Sequence, residues 1–245
     1  NCWLTTSKRS YYWNGREMNI EQVWDESFLA AIAEKEKETG TNPTDWRTGG
    51  RATKANPDKE NKAWWDVNGQ QMFINFVAAW RESGFKVWMS PEGAPGVEIS
   101  LNSSFGDVPV RAFADAVVTM PNGEVAVIDF KTGSYIPSSS LQLGIYASLM
   151  EILFDVRPTR GFFYDARKAV FTEVYGLQRW SVPVLTELFT KFEVGIQNEI
   201  FIPNVGMSCT TCGVRDYCYA AGGELAEIYD PLALVNIQPT KKGKK

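Results

Sequence analysis

Histidine is absent from all 245 residues. That excludes a Ser-His-Asp triad, a Cys-His nucleophile pair and a histidine-rich zinc site, since each needs an imidazole as base or ligand. Long apolar runs are missing too. The longest uncharged stretch, Thr132 to Met150, is broken by serines, Pro137, Gln142 and two glycines, so it cannot span a bilayer. No secretory pattern opens the chain, and a soluble cytoplasmic protein is expected. There is no GxxxxGK[ST] phosphate loop, so the chain has no recognisable ATP motor, and no internal repeat; with no zinc-finger or helix-turn-helix signature, sequence-specific DNA recognition is not expected. Positive charge is scarce and unevenly placed. The net charge is −4, yet four lysines sit in the last five residues, leaving −8 on residues 1–240. Any nucleic-acid contact must come from a local basic surface rather than from bulk charge.

What remains is an ordinary globular composition, 44% hydrophobic and 22% charged, enough for a single α/β domain. Residues 1–96 read as mainly helical. Asn19 with Gln22 has the form of a capping box, and Ile20, Val23, Trp24, Phe28, Ala31 and Ile32 follow helical spacing up to the solvated run Glu34–Glu38. Thr39 to Asn56 reads as a long loop. A second helix is expected from Asn56-Pro57 to about Ser83, with Gly69 a break point. Residues 97–200 read as a sheet-and-helix core. It has strands at Val97–Leu101, Val108–Thr119 and Glu124–Lys131, with a turn at Pro121-Asn122-Gly123. A helix at Ser139–Phe154, a strand pair at Phe162–Tyr164 and Val170–Tyr175, and a helix at Val182–Ile200 complete it. A cysteine segment, 201–230, and a basic tail, 231–245, follow.

The chemistry concentrates in Phe113-Ala-Asp115 and Val127-Ile-Asp129-Phe130-Lys131-Thr-Gly133. Asp129 and Lys131 lie two apart on a strand and share a face. The turn at Asn122 lies midway between positions 115 and 129, so a hairpin sets Asp115 beside them. Two converging carboxylates repel and desolvate at a cost of several kcal/mol ("several" on the order of the usual penalty) unless a hard cation such as Mg²⁺ or Mn²⁺ joins them. Gln142 and Tyr146 stand at i and i+4 on the following helix, on one face. Cys209, Cys212 and Cys218 form a C-x2-C-x5-C cluster, with Cys2 the one remaining cysteine.

The ordered set D…D-x-K-T-G…Q-x3-Y…C-x2-C-x5-C resembles the PD-(D/E)xK nucleases of the RecB-like branch, and more narrowly its iron–sulfur members. These include the AddB nuclease domain, the CRISPR-adaptation nucleases and related phage exonucleases. The resemblance implies a restriction-endonuclease-like mixed sheet flanked by helices. It also implies a metal-dependent DNA exonuclease of recombination or repair, in a bacterial or phage-infected cell. Its substrate would be DNA without sequence preference, and a helicase or a single-strand annealing protein a partner. Asp115, Asp129 and the Phe130 carbonyl would hold Mg²⁺ or Mn²⁺. Lys131 would orient the attacking water or stabilise the phosphate, with Gln142 and Tyr146 in support.

Such nucleases usually add a histidine ligand from a helix before the sheet. Glu60 is the expected substitute, on the stripe Glu60, Trp64, Val67, Gln71, Ile74, Ala78 taken as the inward face of the second helix; Glu98 and Gln71 are alternatives. The basic residues Arg51, Lys54 and Lys59 lie at the expected DNA entrance. The resemblance further implies a [4Fe–4S] cluster on Cys2, Cys209, Cys212 and Cys218, joining the chain ends. Zinc fits the same four thiolates. The run Ser7–Trp13 resembles the basic-aromatic stretch that follows the N-terminal cysteine in those families, but with serine at its head, so Cys2 must reach from five residues earlier. Two other readings stay open: a catalytically weak iron–sulfur DNA-binding or adaptor module, and a zinc-clasped scaffold.

Overall fold

The computed structural model describes residues 3–4, 10–13, 16–46, 48–50, 52–54, 57, 59–200 and 202–225. Short strands β1 (Trp3–Leu4), β2 (Ser10–Trp13) and β3 (Arg16–Asn19) form an antiparallel sheet in the order β1-β2-β3. Of the basic-aromatic run, Ser10–Trp13 is extended, and Ser7–Arg9 lie outside the described residues. Helix α1 (Ile20–Thr39) starts at Asn19, whose side chain accepts the Glu21 N–H. Gln22 does not close a capping box; its amide donates to Glu26 one turn on.

Helix α2 (Lys62–Ser83) starts later than its sequence suggests. Asn61, not Asn56, is the cap, accepting the Trp64 N–H at 2.9 Å; Asn56 lies outside the described residues. The helix runs unbroken through Gly69. A Cβ there would stand 2.4 Å from the Trp24 ring, so this glycine lets α1 and α2 approach closely. Which face is inward also differs from expectation. Val67, Gln71 and Ala78 are exposed, while Gly69, Met72, Phe73, Phe76 and Val77 carry the packing.

The main sheet holds β4 (Lys86–Val87), β5 (Val97–Phe105), β6 (Val108–Thr119), β7 (Val125–Lys131), β8 (Arg160–Asp165), β9 (Val170–Phe171) and β10 (Tyr175–Gly176). The path runs β10-β8-β7-β6-β4, with β5 also on β6 and β9 also on β8. All pairs are antiparallel except β7 with β8, joined by helix α3 (Leu141–Phe154) as a crossover. The strand expected at Val170–Tyr175 is two short strands instead.

Alternation along β6 and β7 builds two cores. Val117 and Val127 face α3 and pack with Leu101, Leu143, Ala147, Met150 and Phe163. Ala116, Val118, Ala126 and Ile128 face α2, with Phe76, Trp80 and Tyr164. A β-strand period of two then puts Asp115 and Asp129 on the α3 face, and Phe130 and Thr132 on the α2 face.

Two compact units make up the chain, Asn1–Thr190 and Lys191–Lys245, and helix α4 (Val182–Gln197) runs through the boundary. The second unit continues into 3-10 turns at Met207–Thr211, Arg215–Tyr217 and Tyr219–Ala221, tied by the Gly223 N–H to Cys218 O and the Leu225 N–H to Asp216 O. No helix among the described residues is long and apolar enough to cross a membrane.

Candidate active site

Registry does the first part of the assembly. The hairpin pairs Ala116 with Ile128, which sets Asp115 across from Asp129. The Phe130 N–H, leaving the ladder at that point, donates to Asp115 Oδ2 at 2.7 Å. Asp129 is only 2% exposed. Lys131 Nζ lies 2.6 Å from its Oδ2, and Gln142 Nε2 donates to its Oδ1 at 2.6 Å. Lys131 also donates to Gln142 Oε1 at 3.0 Å, and Gln142 donates to Tyr146 Oη at 2.7 Å. The Tyr146 hydroxyl donates in turn to Asp129 Oδ1 at 3.4 Å. Five expected residues therefore meet in one polar network on the α3 face of β6 and β7.

Burial shifts two of these groups. It pushes the Asp115 carboxyl above the usual carboxylate range, and the negative Asp129 and Glu98 push the same way; the Phe130 N–H and Lys131 pull back. Burial likewise raises Tyr146 to about 12, so its hydroxyl keeps its proton at neutral pH and can donate.

Glu98 lies on β5 between the pairs Val97–Ala116 and Ile99–Ala114, hence across from Asp115. Its φ of 49° is left-handed, which a non-glycine residue in a strand adopts at a cost of about 1–3 kcal/mol. That cost falls beside Asp115.

Glu60 is not on α2 and does not join this network. It bridges Gly49 in the backbone just before the helix, and both its carboxylate oxygens accept from Arg167, at 2.9 Å each. Arg167 also donates through Nε to Thr132 O at 2.7 Å, and its guanidinium lies over the Trp64 and Trp65 rings. An arginine that the sequence did not single out thus ties the segment before α2 to the end of the strand carrying Lys131. Arg167→Ala is expected to lower stability by about 2–4 kcal/mol, because it strands a mostly buried carboxylate. Pairing it with Glu60→Ala should restore part of that loss, and chemical denaturation of the two singles and the double measures it. Gln71 is exposed and bonds Asn75. Lys54 and Lys59 precede α2, whereas Arg51 lies outside the described residues.

Carboxylate oxygens converge here from Asp115 and Asp129, with Glu98 across from Asp115. Hard ligands of this kind suit Mg²⁺ or Mn²⁺ rather than a soft metal. Among the described residues, no three Cys, Asp or Glu side chains are grouped so that they could hold a metal ion, and this includes Cys209, Cys212 and Cys218. Cys209, Cys212 and Cys218 carry free thiols along the 3-10 turns, Cys209 Sγ accepting the Gly206 N–H at 3.4 Å; Cys2 lies outside the described residues.

The PD-(D/E)XK nuclease superfamily matches residues 17–219, and the chain belongs to that superfamily. Its helix-flanked mixed sheet is the restriction-endonuclease-like fold. It is similar to the Gene 69 protein of Mycobacterium phage D29, 34% identical over 147 residues, which are 57% of this chain and 54% of that protein. It is similar also to the Gene 69 protein of Mycobacterium phage L5, 35% identical over 168 residues, or 64% of this chain and 57% of that protein. The chain therefore spans little more than half the length of either relative.

Proposed function

We propose that the chain is a metal-dependent DNA exonuclease that processes phage DNA ends in recombination or repair. The observation that carries this is the convergence of Asp115, Asp129 and Lys131, with Lys131 held between Asp129 and Gln142. Asp115, Asp129 and the Phe130 carbonyl would hold Mg²⁺ or Mn²⁺, which supplies Lewis-acid activation of the phosphate and of a water. Lys131 keeps a cation where charge grows on the phosphate and can orient the attacking water. Gln142 fixes Lys131 and Asp129 together through its two amide ends, and Tyr146 holds Gln142 from behind. Linear duplex or single-stranded DNA should be degraded with Mg²⁺ or Mn²⁺ and spared with chelator, while closed circles persist. Circles cut as fast as linear DNA would assign an endonuclease instead.

We further propose a [4Fe–4S] cluster on Cys209, Cys212 and Cys218, with Cys2 as the fourth thiolate. The support is the C-x2-C-x5-C spacing and the free state of the three described thiols. Protein purified without oxygen should be brown and carry iron and sulfide. Cys212→Ala should bleach it and lower its melting temperature. Colourless wild-type protein with stoichiometric zinc would replace the cluster by a zinc site, and Cys2→Ala with full colour would move the fourth ligand elsewhere.

A further inference from the structure

Helix α3 carries two polar stripes. Gln142 and Tyr146 face the sheet, where Gln142 bonds both Asp129 and Lys131. Ser140, Gly144 and Ser148, spaced by four, form a second stripe roughly half a turn round the helix from the first. Trp180, in the turn before α4, lies along that second stripe. Its indole Nε1 donates to Ser140 Oγ at 2.9 Å, and its carbonyl accepts from Ser148 Oγ at 2.6 Å. Between the two the ring covers Gly144, where a Cβ would run into the indole. One residue therefore grips two turns of α3.

Trp180 is itself held. Its N–H donates to Leu177 O at 3.0 Å, and the fully buried Leu177 donates to Thr159 O at 2.9 Å, just before β8. Arg157 closes the arrangement, donating to Trp180 O at 3.1 Å and to Ser148 Oγ at 2.8 Å. The active site needs such an anchor. Residues 132–140, which join β7 to α3, contain Gly133 and Pro137 and no helix or strand, so the connection does not fix where the helix sits. Gln142 spans from α3 to β7 through bonds of 2.6 and 3.0 Å. A slip of α3 by about 1 Å carries bonds of that length to the edge of the hydrogen-bonding range or past it.

We propose that Trp180 is a positioning residue for cleavage: by fixing α3 against slip and rotation, it holds the Gln142 amide between Asp129 and Lys131. The inference rests on the nuclease reading above, and the full chain tests it in two ways. In kinetics on linear DNA, Trp180→Leu should lower kcat on the order of 10²-fold with KM unchanged. Trp180→Phe keeps the ring on Gly144 and the carbonyl on Ser148. It should recover all but about 2- to 10-fold, the worth of one neutral hydrogen bond. In a Gln142→Ala background neither change should lower the remaining rate further. The second readout needs no catalysis. The Gln142 side-chain NH₂ donates to both Asp129 and Tyr146. Its signals in a ¹⁵N spectrum, identified by their loss in Gln142→Ala, should shift toward those of free glutamine in Trp180→Leu. Ser140→Ala removes one bond only and serves where Trp180→Leu does not fold; it should act in the same direction and match Trp180→Phe. Val118→Ala, which opens the core on the α2 face, should lower stability while leaving kcat and these signals in place. Unmoved Gln142 signals in Trp180→Leu and Ser140→Ala would overturn the proposal. So would an equal loss of kcat in Val118→Ala, or a loss that persists in full in the Gln142→Ala background. Wild-type protein inactive on every DNA with either metal would overturn the nuclease reading instead, and the signals would still decide whether Trp180 sets Gln142.

Discussion

Lys131→Ala is expected to abolish cleavage, by about 10²–10⁴-fold or more, and to weaken the fold at neutral pH. The lost rate follows from removing the cation that lies 2.6 Å from Asp129 on the catalytic face. The lost stability has a different origin. Asp129 is 3% exposed at its side chain and pairs with Lys131, itself 23% exposed. Deleting the lysine leaves the buried carboxylate with Gln142 and Tyr146 as its hydrogen-bond donors, and breaking such a pair costs about 2–4 kcal/mol. Partial exposure of Lys131 keeps the figure at the low end. Combining Lys131→Met with Asp129→Asn removes both charges, so that double variant should melt closer to wild type and remain inactive. Kinetics and thermal denaturation on the same preparations check both claims. Wild-type rates in Lys131→Ala would remove the lysine from the chemistry.

The same geometry explains why much of the site was legible before any coordinates. A hairpin is arithmetic: its turn at Asn122 is equidistant from positions 115 and 129, and the Ala116–Ile128 pair realises that registry. An i, i+4 helical pair is arithmetic as well, and Gln142 and Tyr146 do bond each other. Both rules depend on local periods of two and four residues. What they do not reach is the choice between equivalent local signals. Asn56 and Asn61 are each plausible caps; the helix starts at Asn61, which leaves Glu60 outside it, and its packed face is set separately, by contacts that leave Val67 and Gln71 exposed. Contacts between distant segments were equally out of reach. Arg167 meets Glu60 across 107 residues, and an apolar cavity gathers side chains from α1, α2, β7 and β8 that share no sequence signature. Glu98 is an intermediate case: its place on a strand was legible, its left-handed backbone was not.

Asp115→Asn should separate activity from stability. Cleavage is expected to fall by a further factor of about 10²–10³ or more, the usual effect of removing one charged group that acts on a transition state. The metal-free protein, however, should melt higher than wild type. Asparagine preserves the acceptor for the Phe130 N–H, because its carbonyl can occupy the place of Oδ2. It removes a half-buried charge that Asp129 and Glu98 both oppose. The pH dependence carries the sign. A carboxyl whose folded-state affinity for protons is raised favours the folded state while it is protonated, and that contribution disappears as pH rises through its raised value. Wild type and Asp115→Asn should therefore melt most alike in acid and diverge above the ordinary carboxylate range, with the variant more stable. Each kcal/mol of relieved repulsion is worth about 2–4 °C in a chain of this size. Adding Mn²⁺ should reverse the order, because the wild type gains binding energy that the variant largely lacks. Melting curves over pH, with and without Mn²⁺, measure both effects. A metal-free Asp115→Asn protein that melts lower than wild type at neutral pH would show that Asp115 is held there for the fold, and that its burial beside Asp129 is not a cost set aside for a cation.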